Sequence, residues 1–553
     1  MKGAPERIEL NEEELRRDLE RVKATLGEDV YRRFRYIVDT LLFLTRLLEK
    51  KRTTIKRLRN LLFGSRSEKT ERVLPEESEE GDTEPVGEED APESGGGAEG
   101  DKDAEKKKKK KGHGRNGAEK YSGADQIEVP HESLKPGKDC PDPDCKGKVY
   151  RLRDPAVIVR LVAQAPVSGK VYKLERLRCN LCLRIYRATA PGGIGERKYD
   201  ESSAAMIALL KYGSGLPFNR LRRLEGNLGI PLAAATQWDL VYSRSRLIEP
   251  VYRELISEAA QGEVLHNDDT TMRILELMGK RLEKREEKPE RTGIFTSGIV
   301  SVGGGRRIVL FFTGTKHAGE NLRDVLARRA SALSPPIQMC DALSRNVSKD
   351  FETIVCNCMS HARRAYVDVL ESFPGECRFV LKTLGEVFRN DSMARNRAMT
   401  AEERLEFHQK ESFRPMAKLR LWMWRELRDR RVEPNSGLGE AIAYMRKHWR
   451  KLTRFLFVAG APLENNLCER VLKRAICHRK NSLFYKTANG ARVGDLYMSL
   501  IATCELAGAN PFDYLSELQR HHQEVALKPR EWLPWNYRET LERQGLSSAC
   551  RLV

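Results

Sequence analysis

Three acidic positions in this 553-residue chain are of the types and contexts that do phosphoryl chemistry. The strand-like segment Gly262-Glu-Val-Leu-His-Asn-Asp268-Asp269 ends in two carboxylates, and Pro336-Ile-Gln-Met-Cys-Asp341 ends in one. The segment Pro462-Leu-Glu464-Asn465-Asn466-Leu-Cys-Glu469-Arg470 opens a helix, with Asn465 or Asn466 able to cap it and Glu469 on its first turn. Acids converging on one point repel one another and become tolerable when a hard divalent cation neutralises them. Mg²⁺ takes oxygen ligands and keeps open water positions. Two such ions clamp the attacking and leaving oxygens of a phosphodiester and offset the charge that gathers in the transition state. Asp268 and Asp269 leave opposite faces of a strand, so parity alone does not choose between them. His361 begins another helix, as a phosphate contact or a capped structural histidine. Arg363 and Arg364 beside it, and the run His478-Arg479-Lys480-Asn481, offer cations for a DNA backbone.

A second constellation is made of sulfur. Cys140-x4-Cys145 and Cys179-x2-Cys182 stand 33 residues apart, separated by short strand-like stretches. Thiolates are soft ligands, and four of them close a tetrahedral zinc site. Pro141, Pro143 and Gly147 supply turn chemistry, so a structural zinc ribbon is predicted; the alternative is four unrelated buried cysteines.

The elements that must position the acids follow one order. After the strand ending at Asp269 come Gly293–Val302 and Arg307–Phe312, joined by the glycine turn 303–305. A helix is predicted over His317–Ala330, then the strand ending at Asp341. A short helix over Leu343–Asp350, the strand Thr353–Asn357 and a helix over Ser360–Glu371 follow. The pattern β-β-β-α-β-α-β-α is that of a ribonuclease-H-like fold, in which strands one and four are neighbours and Asp268 and Asp341 can meet. Ligands gather beyond the carboxyl ends of such strands.

Upstream, Phe34, Ile37, Leu41, Leu44, Leu48, Ile55, Leu58 and Leu62 recur in steps of three and four, apart from the polar break at Lys51, which predicts a coiled coil. Residues 75–105 hold 14 acids and one lysine and cannot bury a core. Six lysines, Lys106 to Lys111, follow, either as a solvated tail or as a nonspecific DNA clamp. Between Ser202 and Ile248, helix, glycine turn and helix trace a helix-turn-helix outline that serves DNA reading or plain packing.

Lys+Arg exceed Asp+Glu by 99 to 80, a net +19 with pI ≈ 9.4, which favours a polyanionic partner. No stretch approaches 18 apolar residues, and Met1 is followed by Lys2, Glu6 and Glu9 rather than an apolar core. Neither a membrane span nor an export signal is therefore expected, and a cytoplasmic, nucleoid-associated protein in a reducing compartment is.

Several short motifs, in order, resemble the insertion sequence 66 family of transposases. They are Phe63-Gly-Ser-Arg-Ser-Glu-Lys69, Gly112-His-Gly-Arg115, the four cysteines, His266-Asn-Asp-Asp-Thr270, His361-Ala-Arg-Arg364, Glu464-Asn-Asn-Leu-Cys-Glu-Arg470, Arg479-Lys-Asn481 and Leu533-Pro-Trp535. The chain departs from the pattern around the second aspartate, where Met-Cys-Asp341-Ala-Leu-Ser replaces the family's Ala-Asp-Gly-Tyr-Ala-Gly-Tyr. The resemblance implies an Asp-Asp-Glu transposase with Asp268, Asp341 and Glu469 as the catalytic, magnesium-binding acids. It chooses Asp268 over Asp269 and Glu469 over Glu464. It also implies Mg²⁺ (two per site, Mn²⁺ being possible), structural Zn²⁺, and double-stranded DNA as element ends and target. The assembly it implies is a homodimer or larger synaptic complex, with small companion proteins of the element.

The expected architecture is multidomain α+β. It comprises a coiled-coil helix (1–70), an acidic and basic linker (71–120), a zinc ribbon (121–200) and a helix-turn-helix-like helical region (201–260). A ribonuclease-H-like core (261–375) follows, then a helical insertion (376–460), the completion of the core with the glutamate helix (461–520) and a C-terminal tail (521–553). A catalytically retired DNA-binding derivative, a purely hydrolytic nuclease of the same fold and a coiled-coil scaffold are the alternatives.

Overall fold

A computed structural model describes residues 197–278, 293–348 and 350–545, with short stretches at 136–139, 147–148, 166–178 and 185–189 and a few isolated positions before residue 192. The predicted coiled coil, apart from isolated positions, the acidic and basic linker, and all four cysteines of the predicted zinc ribbon lie outside the described residues. Two compact units are distinguished. In the first, residues 78–168, the backbone makes one antiparallel bridge, Asp139 to Lys148. All that follows belongs to the other. Its first described strands form a small hairpin, β1 (Arg176–Arg178) and β2 (Ile185–Arg187).

The main sheet has five strands: β3 (Val264–Thr271), β4 (Phe295–Gly303), β5 (Arg306–Gly314), β6 (Ile337–Cys340) and β7 (Ile354–Asn357). Their order is β5-β4-β3-β6-β7. The first three form an antiparallel meander, and β6 and β7 run parallel to β3. β4 and β5 are joined by Gly304 and Gly305 at φ 55° and 73°, the left-handed backbone that a two-residue hairpin with right-handed strand twist requires. Among these strands the first and fourth, β3 and β6, are neighbours, as the sequence order predicts.

β5 is an edge strand, and a helix covers its edge. In α11 (Ala488–Leu506), Asp495, Ser499 and Thr503 are spaced at i, i+4 and i+8. They accept hydrogen bonds from the backbone N–H groups of Thr313 (2.6 Å), Phe311 (2.9 Å) and Val309 (3.0 Å). Four helical residues rise about 6 Å and two strand residues about 6.7 Å, so the two spacings match. An edge that would otherwise present unpaired donors is thereby closed.

Preceding the sheet are α1 (Glu201–Ala208), α2 (Phe218–Asn227) and α3 (Ala234–Ala260). Gly229, at φ 79°, turns the chain between α2 and α3. The helix-turn-helix outline is present, but the region does not stand apart. α3 runs to Ala260, buries Val241, Ile248, Val251 and Leu255, and packs on β4, β5 and α11. Two other predicted helices are shorter than expected. α4 spans Ala318–Leu326 with His317 at its N-cap, and the segment after Asp341 forms only a 3₁₀ turn at Ser344–Asn346.

On the β7 side lie α5 (Met359–Asp368), α6 (Pro374–Asn396), α7 (Ala401–Glu411), α8 (Phe413–Arg428) and α9 (Gly437–Leu452). The apolar faces of α5, α6, α8 and α9 share one core with Met339 and Cys356 of the sheet, which includes Tyr366, Leu384, Leu419 and Ile442. α10 (Asn466–Ser482) follows and leads to α11. Of the segment 521–553, expected as a tail, the described residues 521–545 are folded. α12 (Pro511–Arg520), α13 (His522–Leu527) and α14 (Tyr537–Arg543) pack there, with Trp532 and Leu533 buried and the Tyr514 hydroxyl donating to the Trp532 carbonyl (2.8 Å). No helix among the described residues is long and apolar enough to cross a membrane.

Burial pushes the Asp495 carboxyl up to about 7, although its hydrogen bonds to Thr313 oppose this. An acid whose folded pKa is raised costs the native state nothing below its unfolded value. Stability is lost as pH rises from about 4 through 7. Asp495→Asn, which keeps an acceptor for the Thr313 N–H, is expected to leave stability nearly unchanged below about pH 4, where the carboxyl is protonated in both states. At pH 8 it is expected to raise it by about 1–3 kcal/mol, measured by denaturant unfolding.

Candidate active site

The parallel pairing of β3 with β6 sets the geometry. His266 lies opposite Met339, and the same register carried two residues further brings Asp268 level with Asp341. The two carboxylates share a donor: Asn346 Nδ2 lies 2.7 Å from Asp341 Oδ1 and 3.4 Å from Asp268 Oδ1. Each Oδ1 is also held by the backbone, Asp268 by the Asp269 N–H (2.8 Å) and Asp341 by the Leu343 N–H (3.1 Å). Asn357 at the end of β7 donates to the Asp341 carbonyl (3.0 Å). Burial, then the charge of Asp341, raises the Asp268 carboxyl to about 7, with smaller contributions from Asp269 and Glu469.

Asp269 has other partners. Its carboxylate lies 3.1 Å from His317 Nδ1 and 3.4 Å from Arg345 Nη2, and it is almost fully buried. Glu464 is likewise engaged away from the aspartates: Ser360 Oγ donates to it (2.8 Å) and Arg395 pairs with it at 3.8 Å.

Glu469 is carried by α10, which crosses the sheet on a face made by Cys468, Leu472 and Ala475. Its approach is close because β4 has a glycine at the crossing. Gly298 is the residue paired with Asp268, and a Cβ there would sit 2.9 Å from Leu472 Cδ2 and 3.6 Å from Cys468 Sγ. Cys468 Sγ donates to the Gly298 carbonyl at 3.3 Å. Asn465 stands at the N-cap but does not cap the helix. Its side chain is turned to β3, with Nδ2 donating to the Asn267 carbonyl (3.2 Å) and Oδ1 3.0 Å from His266 Nδ1. Burial lowers His266 to about 4, so the ring is neutral and Nδ1–H is the donor.

At the other end of α10, Arg479 donates to Thr270 Oγ1 (3.0 Å), Thr271 Oγ1 (2.7 Å) and the Thr271 carbonyl. The helix is thus pinned to β3 at both ends, with Glu469 near Asp268 in the electrostatic sense already given. The acids are not all within ligand distance of one another. Asp268 and Asp341 are joined by Asn346, whereas the Glu469 carboxylate lies 3.8 Å from His361 Nδ1.

Cys358 Sγ, a ring nitrogen of His361 and a Glu469 oxygen lie within 4.8 Å of one another. Burial pushes the Cys358 thiol up to about 11, and its sulfur accepts the Asn465 N–H at 3.2 Å, so it serves packing.

The predicted cations fare differently. Lys480 and Arg364 are exposed, but Arg363 is 5 % exposed, inside the helical core. Arg479 is committed to β3. His478 is no cation at all: it is stacked between Tyr212 and Tyr485, and burial and the nearby Lys211 lower it to about 3. The residue that sequence reasoning missed is Asn346. A lone asparagine five positions after an aspartate carries no motif, and its role appears only when the 3₁₀ turn folds back over the strand ends. Replacing Gly298 by valine is expected to push α10 off β4. A loss of about 1–3 kcal/mol by denaturant unfolding, as for other overpacked cores, is the expected measurement.

The family model described as Transposase IS66 family matches residues 197–493, more than half of the chain. The match spans the whole sheet, the helical segment after it and α10. Among similar proteins is the uncharacterized protein y4jD of Sinorhizobium fredii (strain NBRC 101917 / NGR234), 23% identical over 415 residues, covering 71% of this chain and 77% of the relative. Two more from the same organism, the uncharacterized proteins y4hP and y4qI, are 24% and 25% identical. They cover 66% and 64% of this chain and 67% and 66% of their own lengths. With its acid-bearing sheet and glutamate helix inside the matched region, the chain belongs to the IS66 family of transposases.

Proposed function

We propose that this protein is a DNA transposase of ribonuclease-H-like fold, and that Asp268, Asp341 and Glu469 are its metal-binding acids. It cleaves the phosphodiester at the ends of an insertion element, and the freed 3′-hydroxyl then attacks a phosphodiester of target DNA. The observation that carries the reading is one amide shared by two carboxylates, Asp268 within β3 and Asp341 directly after the adjacent parallel strand β6. The donor set fits a hard divalent cation such as Mg²⁺ or Mn²⁺. Both ligands are oxygens, neither Oδ2 has a partner among the described residues, and no arginine or lysine pairs with either aspartate there. When bound, the cation supplies activation of the attacking oxygen and stabilisation of the leaving one.

The chain's own residues do the rest. Asp268 and Asp341 present their second oxygens together. Glu469, on the first turn of α10, adds a third carboxylate from the helix, with His361 Nδ1 3.8 Å away. Arg364 and Lys480 offer exposed charge to phosphates. In the helix-turn-helix outline, α3 buries one face along its length against the sheet, and the exposed Arg220, Arg222 and Arg223 of α2 form the basic face that meets DNA. The four-cysteine zinc ribbon and the coiled coil are the elements for end recognition and self-association, in a cytoplasmic protein that acts as a dimer or larger synaptic complex.

The full chain, supplied with element-end DNA and Mg²⁺ or Mn²⁺, is expected to produce cleaved ends and joined products on a sequencing gel, and EDTA to stop both. Asp268→Asn, Asp341→Asn and Glu469→Gln should each lower strand transfer by at least about 10³-fold while DNA binding persists. Asp269→Asn should lower the melting temperature yet retain strand transfer. Undiminished activity in the first three variants would sink the assignment, and cleavage without joining would identify a hydrolytic nuclease instead.

A further inference from the structure

Asn346 is fully buried, and its backbone is held independently of its side chain. Its carbonyl accepts from Asn267 Nδ2 (2.7 Å) on β3 and from Gln338 Nε2 (2.8 Å) on β6. Gln338 Nε2 also donates to Asn267 Oδ1 (2.9 Å), so a buried amide layer locks the 3₁₀ turn to both acid-bearing strands. Gly319 of α4 closes the other side: a Cβ there would meet the Arg345 and Val347 carbonyl oxygens at 2.6 Å.

The side-chain amide, by contrast, is oriented by the acids alone. Its Oδ1 is buried with no donor among the described residues, while Nδ2 reaches both carboxylates. The reverse orientation would place an oxygen 2.7 Å from a carboxylate oxygen, a repulsive contact. Nδ2 takes the same atom, Oδ1, of each aspartate, and the backbone N–H groups of Asp269 and Leu343 take those atoms too. One oxygen of each acid is therefore tied back, and the other is left.

We propose that Asn346 is the positioning residue of the cation site: by tying back one oxygen of both Asp268 and Asp341, it aims the remaining oxygen of each at a common divalent cation. The inference rests on the reading of these acids as metal ligands. Residues that hydrogen-bond the ligands of a metal commonly govern its affinity by 10–100-fold. Asn346 does so from a fully buried position.

The test is a titration of the full-length protein, without DNA, with Mn²⁺ alone, following free Mn²⁺ by electron paramagnetic resonance. Asp341→Asn defines the site-specific component against any weak binding by the acidic segment 75–105. Wild type should show a class of sites that Asp341→Asn removes. If it does not, the metal-ligand reading fails, and this inference with it. Given that class, Asn346→Leu, which keeps the branching of the side chain without the amide, should raise its Kd about tenfold or more. Its melting temperature in EDTA should stay within a few degrees of wild type, because the backbone anchors of the turn remain. A Kd within about twofold of wild type would overturn the role of Asn346 while leaving the site in place. Should Asn346→Leu not fold, Asn346→Ser, whose hydroxyl is too short to span both carboxylates, is read by the same criterion.

Discussion

Two carboxylates held within reach of a single amide nitrogen repel each other, and burial makes that repulsion stronger than it would be in water. The raised pKa of Asp268 comes first from burial and then from the charge of Asp341. A chain left to relax would separate the charges. It does not, because Asp268 is fixed within β3 and Asp341 directly after β6, on neighbouring strands whose ladder hydrogen bonds set their register. The stress is thus carried by the most rigid part of the fold, where sheet hydrogen bonds and apolar packing resist it together.

The third acid is delivered differently. A helix has no register with a sheet, so its position must be specified by contacts along its length. α10 has three: a missing side chain at Gly298 that lets it sit low, Asn465 hydrogen-bonded to β3 at one end, and Arg479 hydrogen-bonded to the end of the same strand at the other. Asn465 and Arg479 are polar residues with ordinary local uses, as a cap and as a surface charge. Here both are spent on a tertiary join. The consequence is a site with two rigidly paired acids and one neighbour placed by helix packing, near His361 rather than on the shared amide.

The same economy appears at the sheet edge. Asp495, Ser499 and Thr503 would be poor choices for the face of a buried helix if burial alone mattered, since each brings a polar group into the core. They are tolerated because β5 offers three backbone donors at a matching spacing. The helix that closes the edge follows α10 directly in the chain, so edge closure and placement of the glutamate helix are parts of one continuous segment.

Much of this was legible in the residues themselves. Strand alternation, the Gly303-Gly304-Gly305 turn and the aspartates ending two apolar runs record local preferences, and local preferences survive into the fold. The order of strands followed from that pattern, because few topologies join three antiparallel strands to a parallel pair. Other features could not be read, since they depend on which distant atoms meet. Nothing local distinguishes Asp268, which shares a donor with Asp341, from Asp269, which is buried against His317 and Arg345. His478 and Arg363 look like surface cations in sequence, yet one is stacked between tyrosines and the other lies in a helical core. Asn346 carries no motif, and its part emerges only once a 3₁₀ turn is tied to β3 and β6. Composition and periodicity determined which elements form and roughly where the acids fall along them. The tertiary structure alone decided which side chains share a hydrogen bond or lose their water, because those energies depend on through-space distance and burial rather than on position along the chain.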